Sequence, residues 1–339
     1  MKICLITGEK ESGQCGIADY ADLIALELKK LGHQIERYFI TKSNGDLTDL
    51  PNADLYSIQF APYAFAQNGI PIQTFKYLSK KLHNQKVHLN FHEIWVGAYP
   101  RATWKERGIG WLQKNLILGF INKCKPESIT SSNAAALDRL KQLGIPARFL
   151  YLFGNIPFSA NSKVKPKGQT LKIALFGTIY TDFPYDKLGN FFSTLSKICG
   201  KKLEIILIGR QRENAGTDRV LSLCKKNDFF LERTGELTTD LISEHIQVCS
   251  LGVSTTPYDV LGKSGATAAL LEHRLPVLAY DDEDTPQDKL LIHEPFKDQI
   301  FLLNDDRSIE KLLQHIEKPR KKNFDGVAHT AKKLLELVF

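Results

Sequence analysis

Gly262-Lys263-Ser264-Gly265 combines two glycines, a cation and a hydroxyl in four residues. It follows an apolar run, Ser250–Thr255, that suits a strand, and it precedes Ala266–His273, which suits a helix. Glycine lets a backbone turn tightly and approach a ligand without a Cβ in the way. The first turn of a helix offers unpaired N–H groups and the positive end of its dipole. Lys263 adds a full charge, and Ser264 and Thr267 add hydroxyls. Together these describe a cradle for a phosphate or diphosphate, with Lys263 and the N–H groups of Ser264 and Gly265 as its donors. The same residues also suit a plain strand-to-helix turn carrying an exposed Lys. A P-loop is a poor fit. That motif needs a Gly five residues before the second one, and Pro257, which has no N–H, stands there.

The elements that must position the cradle alternate along the whole chain. Strands are expected at Lys2–Thr7, Gln34–Phe39, Asp54–Gln59, Val87–Phe91, Ser128–Ser131 and Ala147–Leu152, with helices between them. Ser159–Thr170 is polar, carries three Lys and a Pro, and reads as a linker. Alternation resumes from Leu171–Phe176 to Pro276–Tyr280, and the chain ends in helices. This pattern predicts an α/β protein with parallel sheets covered on both faces. Two Rossmann-like domains facing a cleft are expected, 1–158 and 159–325, with the helix at about 326–339 packing back on the first. Ligands of such sheets sit beyond the carboxyl ends of the strands.

The 339 residues and 43% apolar content support two real cores. No apolar run approaches the roughly 18 residues of a membrane span. The start reads as a first strand rather than a signal peptide. Six scattered Cys without a C-x-x-C pair suggest reduced thiols, a cytoplasmic location and no zinc site. Asp282-Glu283-Asp284 reads as solvated acid rather than a metal site. Charge is uneven: residues 1–150 carry 19 Lys and Arg against 13 Asp and Glu. The cations cluster in Lys76–Lys86 and Arg101–Lys125, the second with Trp104 and Trp111. Such a surface allows peripheral contact with an anionic membrane. The plainer reading, a solvated helix face above a buried apolar stripe, suits it better. No nucleic-acid motif accompanies the charge.

Several segments in this order resemble glycosyltransferase family 4 and its GT-B fold, over most of the chain. Gly13-Gln14-Cys15-Gly16 resembles the family's Gly-rich loop after the first strand. Gln59-Phe60-Ala61-Pro62-Tyr63 is similar to a Gln-Tyr-x-Pro-Tyr segment. Phe91-His92-Glu93 resembles the His-Glu/Asp end of a central strand. Leu275-Pro276-Val277 resembles a Gly-x-Pro-Val strand, with Arg274 in place of the Gly. The resemblance implies a retaining transfer of a sugar from a nucleotide-sugar donor (UDP-, GDP- or another), without metal or other cofactor, to a sugar or lipid-linked acceptor. It implies that His92 touches the donor sugar. Gly16, Gly177, Thr178, Arg210, Gly262, Ser264, Gly265 and Thr267 then serve the donor diphosphate beside Lys263. Gln59, Tyr63 and Glu93 lie toward the sugar and acceptor. The other eight His, His88 among them, are expected on surfaces or helices. One departure stands out: the family's two Glu, with seven residues between them, are replaced by Leu261 and Ala269. A nucleotide-sugar epimerase and a non-catalytic binding subunit share the fold and remain open.

Overall fold

A computed structural model describes residues 1–9, 16–41, 49–97, 102–160, 169–211, 213–281, 296–305 and 307–339. The chain divides into two compact units, Met1–Tyr151 with Val327–Phe339, and Leu152–Gly326.

The first unit is built on a six-stranded parallel sheet of β1 (Lys2–Gly8), β2 (Gln34–Ile40), β3 (Leu55–Phe60), β4 (Val87–Phe91), β5 (Ser128–Ser131) and β6 (Ala147–Phe149). Its order is β2-β1-β3-β4-β5-β6. The main connecting helices are α1 (Gly16–Lys30), α3 (Ile72–Lys81), α4 (Trp104–Cys124) and α5 (Ala134–Gln142). A one-turn helix, α2 (Pro62–Phe65), interrupts the segment after β3. Helices on both faces leave β3 and β4 fully buried, as parallel strands require. Helix α4 begins with a capping box. Thr103 accepts the Glu106 N–H, and Glu106 accepts the Thr103 N–H, satisfying two donors at the helix start.

The second unit holds β7 (Thr170–Phe176), β8 (Lys202–Ile208), β9 (Phe230–Arg233), β10 (Leu251–Val253), β11 (Val277–Ala279) and β12 (Ile300–Leu302). These six parallel strands run β12-β11-β10-β7-β8-β9. Helices α6 (Tyr185–Cys199), α7 (Ala215–Asn227), α8 (Thr239–Val248), α9 (Gly265–Glu272) and α10 (Ser308–Glu317) complete it. Its core joins Ile173, Leu175, Phe192, Ile205, Leu207 and Val253. Helix α11 (Gly326–Val338) lies with the first unit, where Arg148 donates to the Leu337 carbonyl. Cys4, Cys124, Cys224 and Cys249 are buried free thiols. Among the described residues no helix is long and apolar enough to cross a membrane.

Candidate functional site

In the second sheet the chain starts at β7, builds outward through β8 and β9, then crosses to β10 on the other side. The strand order therefore reverses between β7 and β10. A crevice opens beyond the carboxyl ends of strands at such a reversal, and a cavity of about 320 Å³ lies there. Its wall from β7 is Gly177, Thr178 and Tyr180, and its wall from β10 is Ser254, Thr255 and Thr256. Lys263, Ser264, Gly265, Ala266 and Thr267 close it from the start of α9.

The start of α9 is set by its own residues. Tyr258–Lys263 forms a 3₁₀ turn, and Ser264 caps α9 by accepting the Thr267 N–H at 3.2 Å. The Ser264 N–H is spent on the Leu261 carbonyl at 3.0 Å. It therefore cannot serve a ligand, contrary to expectation. The N–H groups of Gly265 and Ala266 find no acceptor among the described residues. They are the backbone donors of this end, and the Lys263 side chain lines the same cavity. No acidic residue occupies the first turn, so no side chain of that turn offsets the positive end of the helix dipole. A Cβ on Gly265 would meet no atom within 4 Å, which leaves the approach to the N–H groups open.

A chain of hydroxyls fastens the walls together. Ser254 and Thr267 share a hydrogen bond of 2.8 Å, and Thr267 donates to Ser264 Oγ at 2.8 Å. Thr267, 3% exposed, is thus a brace between β10 and the cap. With Ser264 Oγ accepting twice, its own proton is left to point elsewhere. Thr255 Oγ1 donates to the Thr178 carbonyl at 3.0 Å and accepts the Tyr180 N–H at 3.0 Å, locking the loop after β7 against β10. Gly177 has φ +87°, and a Cβ there would lie 2.5 Å from the Ala266 Cβ. Only glycine lets this loop lie so close to the start of α9.

Of the expected donor-side residues, Gly177, Thr178, Lys263, Ser264, Gly265 and Thr267 come together in this cavity. Arg210 is exposed just after β8, and Gly262 lies within the 3₁₀ turn; neither lines the cavity. Sequence reading missed Tyr180 and the hydroxyl run Ser254-Thr255-Thr256. Three hydroxyls in a row at a strand end, just ahead of the glycine-lysine segment, were the available signal. Asp282-Glu283-Asp284 and the loop residues Gly13, Gln14 and Cys15 lie outside the described residues.

The remaining candidates belong to the first unit. Gly16 is the exposed first residue of α1, and a Cβ there would meet nothing within 4 Å. Tyr63 on α2 is 41% exposed, and Glu93 is exposed after β4. His92 is buried, and its ring meets the Tyr20 ring edge-on at 4.8 Å. His92 Nε2 lies 3.0 Å from Gln59 Oε1 and 3.2 Å from Asn90 Nδ2.

Gln59 is 1% exposed, and its amide is consumed inside the unit. Residues Ser57 and Gln59 of β3, His88 and Asn90 of β4, and Thr130 of β5 sit on one face of neighbouring strands. Their side chains close a hydrogen-bonded ring. Gln59 Nε2 donates to Ser57 Oγ at 2.9 Å, and Ser57 meets His88 Nδ1 at 2.9 Å. His88 Nε2 meets Thr130 Oγ1 at 2.8 Å, and Thr130 donates to Asn90 Oδ1 at 2.9 Å. Asn90 Nδ2 donates to Gln59 Oε1 at 2.9 Å. Because Thr130 spends its only proton on Asn90, His88 donates to it from Nε2, and a neutral His88 then accepts from Ser57 at Nδ1. With His88 neutral the ring runs in one direction. Burial pushes the His88 imidazole down to about 3, with the charges of Arg148 and His92 adding to the effect. His88 is therefore a core residue rather than a surface one. Gln59 acts here as a support for His92.

No family model matches this sequence, and no curated protein matches it either. Solved structures do. HepE of Anabaena, in complex with UDP and glucose, superposes with a TM-score of 0.53 at 13% identity, over 100% of this chain and 94% of its own. An alpha-glucosyltransferase in complex with UDP and a 13-mer DNA gives 0.50 at 11%, over 100% and 99%. A protein of Listeria monocytogenes assigned as a UDP-N-acetylglucosamine 2-epimerase gives 0.50 at 11%, over 98% and 94%. The fold is GT-B. Two six-stranded parallel sheets of Rossmann type are what this chain shares with those proteins.

Proposed function

We propose that this chain is a retaining glycosyltransferase that takes a sugar from a nucleotide-sugar donor and delivers it to the hydroxyl of a sugar or lipid-linked acceptor. The carrying observation is the cavity at the β7/β10 reversal, closed by Lys263 and the open start of α9. In such a transfer the anomeric C–O bond to the diphosphate breaks. A new bond to the acceptor oxygen forms on the same face, and the acceptor's proton passes to the leaving diphosphate. Negative charge grows on that diphosphate. Donors already aimed at it are worth roughly 2.7–4 kcal/mol each, by analogy with an oxyanion hole. Lys263, the Gly265 and Ala266 N–H groups and the remaining Ser264 proton are those donors. Because the chain supplies this charge itself, the reading needs no metal. Thr178 and Tyr180 border the nucleotide side.

In the first unit, His92 is the group assigned to the donor sugar. Gly16 is assigned to the donor diphosphate, and Tyr63 and Glu93 to the acceptor. The UDP complexes of HepE and of the alpha-glucosyltransferase make UDP the first nucleotide to try. An epimerase would convert a sugar nucleotide alone, with no acceptor. Thermal-shift titration against UDP-, GDP-, ADP- and dTDP-sugars, followed by chromatography of the products, separates the readings. A ligand at 100 times its dissociation constant adds about 2.7 kcal/mol to stability, so one nucleotide should raise the melting temperature. Free nucleoside diphosphate should then form only when acceptor is added. A new sugar nucleotide without acceptor would establish the epimerase, and no shift with any nucleotide would sink both.

A further inference from the structure

Between Asp54 and Glu127 the sequence carries ten Lys and Arg but only two acids, Glu93 and Glu106. This segment alone supplies more positive charge than the chain's net of +7. It contains α3 and α4, which pack together through stacked Phe75 and Phe120 rings, 4.5 Å apart. The buried stripe of α4 is Gly110, Gln113, Ile117, Phe120 and Cys124. Both tryptophans of α4 stand outside it. Trp104 is 89% exposed and Trp111 65%. Seven residues apart, they share one face of the helix, two turns from each other. Exposed Lys105 and Arg107 flank them, and the Arg107 guanidinium lies 5.8 Å from the Trp104 ring. Lys114 follows Arg107 by the same two turns. Glu106, the one acid of the helix, is held in the capping box. On neighbouring α3, Ile72 is 40% exposed beside exposed Lys76 and Lys80.

We infer that this α3–α4 face rests on an anionic phospholipid surface. Two indoles exposed to this extent lie outside the packed core of the fold. Tryptophan at the level of lipid headgroups buries its ring while keeping its N–H wet. Basic side chains around it are drawn to anionic headgroups, and the one acid of α4, Glu106, is engaged in the capping box. The surface belongs to the first unit and stands independently of the donor cavity. It complements the proposed function by keeping a lipid-linked acceptor close at hand.

The test is cosedimentation of the full chain with phosphatidylcholine vesicles, with and without phosphatidylglycerol, in the absence of any sugar nucleotide. Binding is expected only to the anionic vesicles, with a blue shift of tryptophan emission and release by high salt. Trp104→Ser with Trp111→Ser should weaken it more than tenfold. Lys105→Gln with Arg107→Gln should weaken it roughly 30-fold, about fivefold per charge. Because these side chains lie outside the core, the variants should keep the wild-type melting temperature and the same response to UDP. No binding to either vesicle would overturn the inference, as would equal binding by the Trp variant. Self-association that the Trp variant abolishes, without vesicle binding, would assign the face to a protein partner instead. A chain that binds vesicles but no sugar nucleotide would uphold this inference while refuting the transferase.

Discussion

Gly177→Ala tests whether the loop after β7 and the start of α9 form one site. Two costs are expected. Gly177 sits at φ +87°, a conformation that costs an L-residue about 1–2 kcal/mol. The new Cβ would also lie 2.5 Å from the Ala266 Cβ, well inside contact distance. Forcing such a contact in a packed region costs about 1–3 kcal/mol. The single variant should therefore lose about 2–5 kcal/mol. Adding Ala266→Gly removes the clash but not the backbone strain. A double-mutant cycle should show a favourable coupling of about 1–3 kcal/mol. Urea unfolding followed by circular dichroism is the appropriate assay, because all three tryptophans, Trp95, Trp104 and Trp111, lie in the first unit. UDP titration of the same four proteins gives the functional side. Gly177→Ala should weaken UDP, and the double variant should recover part of the loss. Stabilities that add to within about 0.5 kcal/mol would mean that the loop and α9 do not touch as described, and the cavity would lose its floor.

Two further outcomes follow from the candidate sites. Lys263→Ala should lower sugar transfer by about a hundredfold or more with an unchanged melting temperature; transfer at the normal rate would remove Lys263 from the chemistry. The ring around His88 gives a pH dependence. An unfolded His88 takes up a proton below its ordinary value near 6.5, whereas the folded one stays neutral down to about 3. The unfolded state binds more protons in that window, so stability falls as pH falls from about 6.5 toward 3. At about 1.4 kcal/mol per unit, the whole window amounts to about 5 kcal/mol. His88→Gln should flatten this part of the curve, and equal acid sensitivity in both proteins would show that His88 is not held neutral.

The alternation of strand and helix was legible because each buried strand is a short apolar run set off by turns. Strand ends were less so. Ser250–Thr255 reads as one strand, but β10 is only Leu251–Val253; Ser254 still donates its N–H to Leu278 of β11, while its hydroxyl and those of Thr255 and Thr256 turn to the cavity wall. Tyr258–Lys263 carries no helical periodicity that would reveal its 3₁₀ turn. The glycine-lysine segment pointed to a phosphate cradle, but which N–H groups remain open depends on Ser264 bonding back to Leu261. Val-His-Leu-Asn-Phe in β4 alternates as a strand with one wet face would. His88 and Asn90 are buried because Ser57, Gln59 and Thr130, remote in sequence, supply their partners. Arg210 shows the converse: a cation near a strand end need not reach the site.

The most direct measurement is a crystal structure of the chain with UDP. The two phosphates should lie within hydrogen-bond distance of the Gly265 and Ala266 N–H groups, with the Lys263 ammonium beside them. Phosphates bound elsewhere, with the start of α9 facing only solvent, would contradict the assignment of this cavity to a nucleotide-sugar donor.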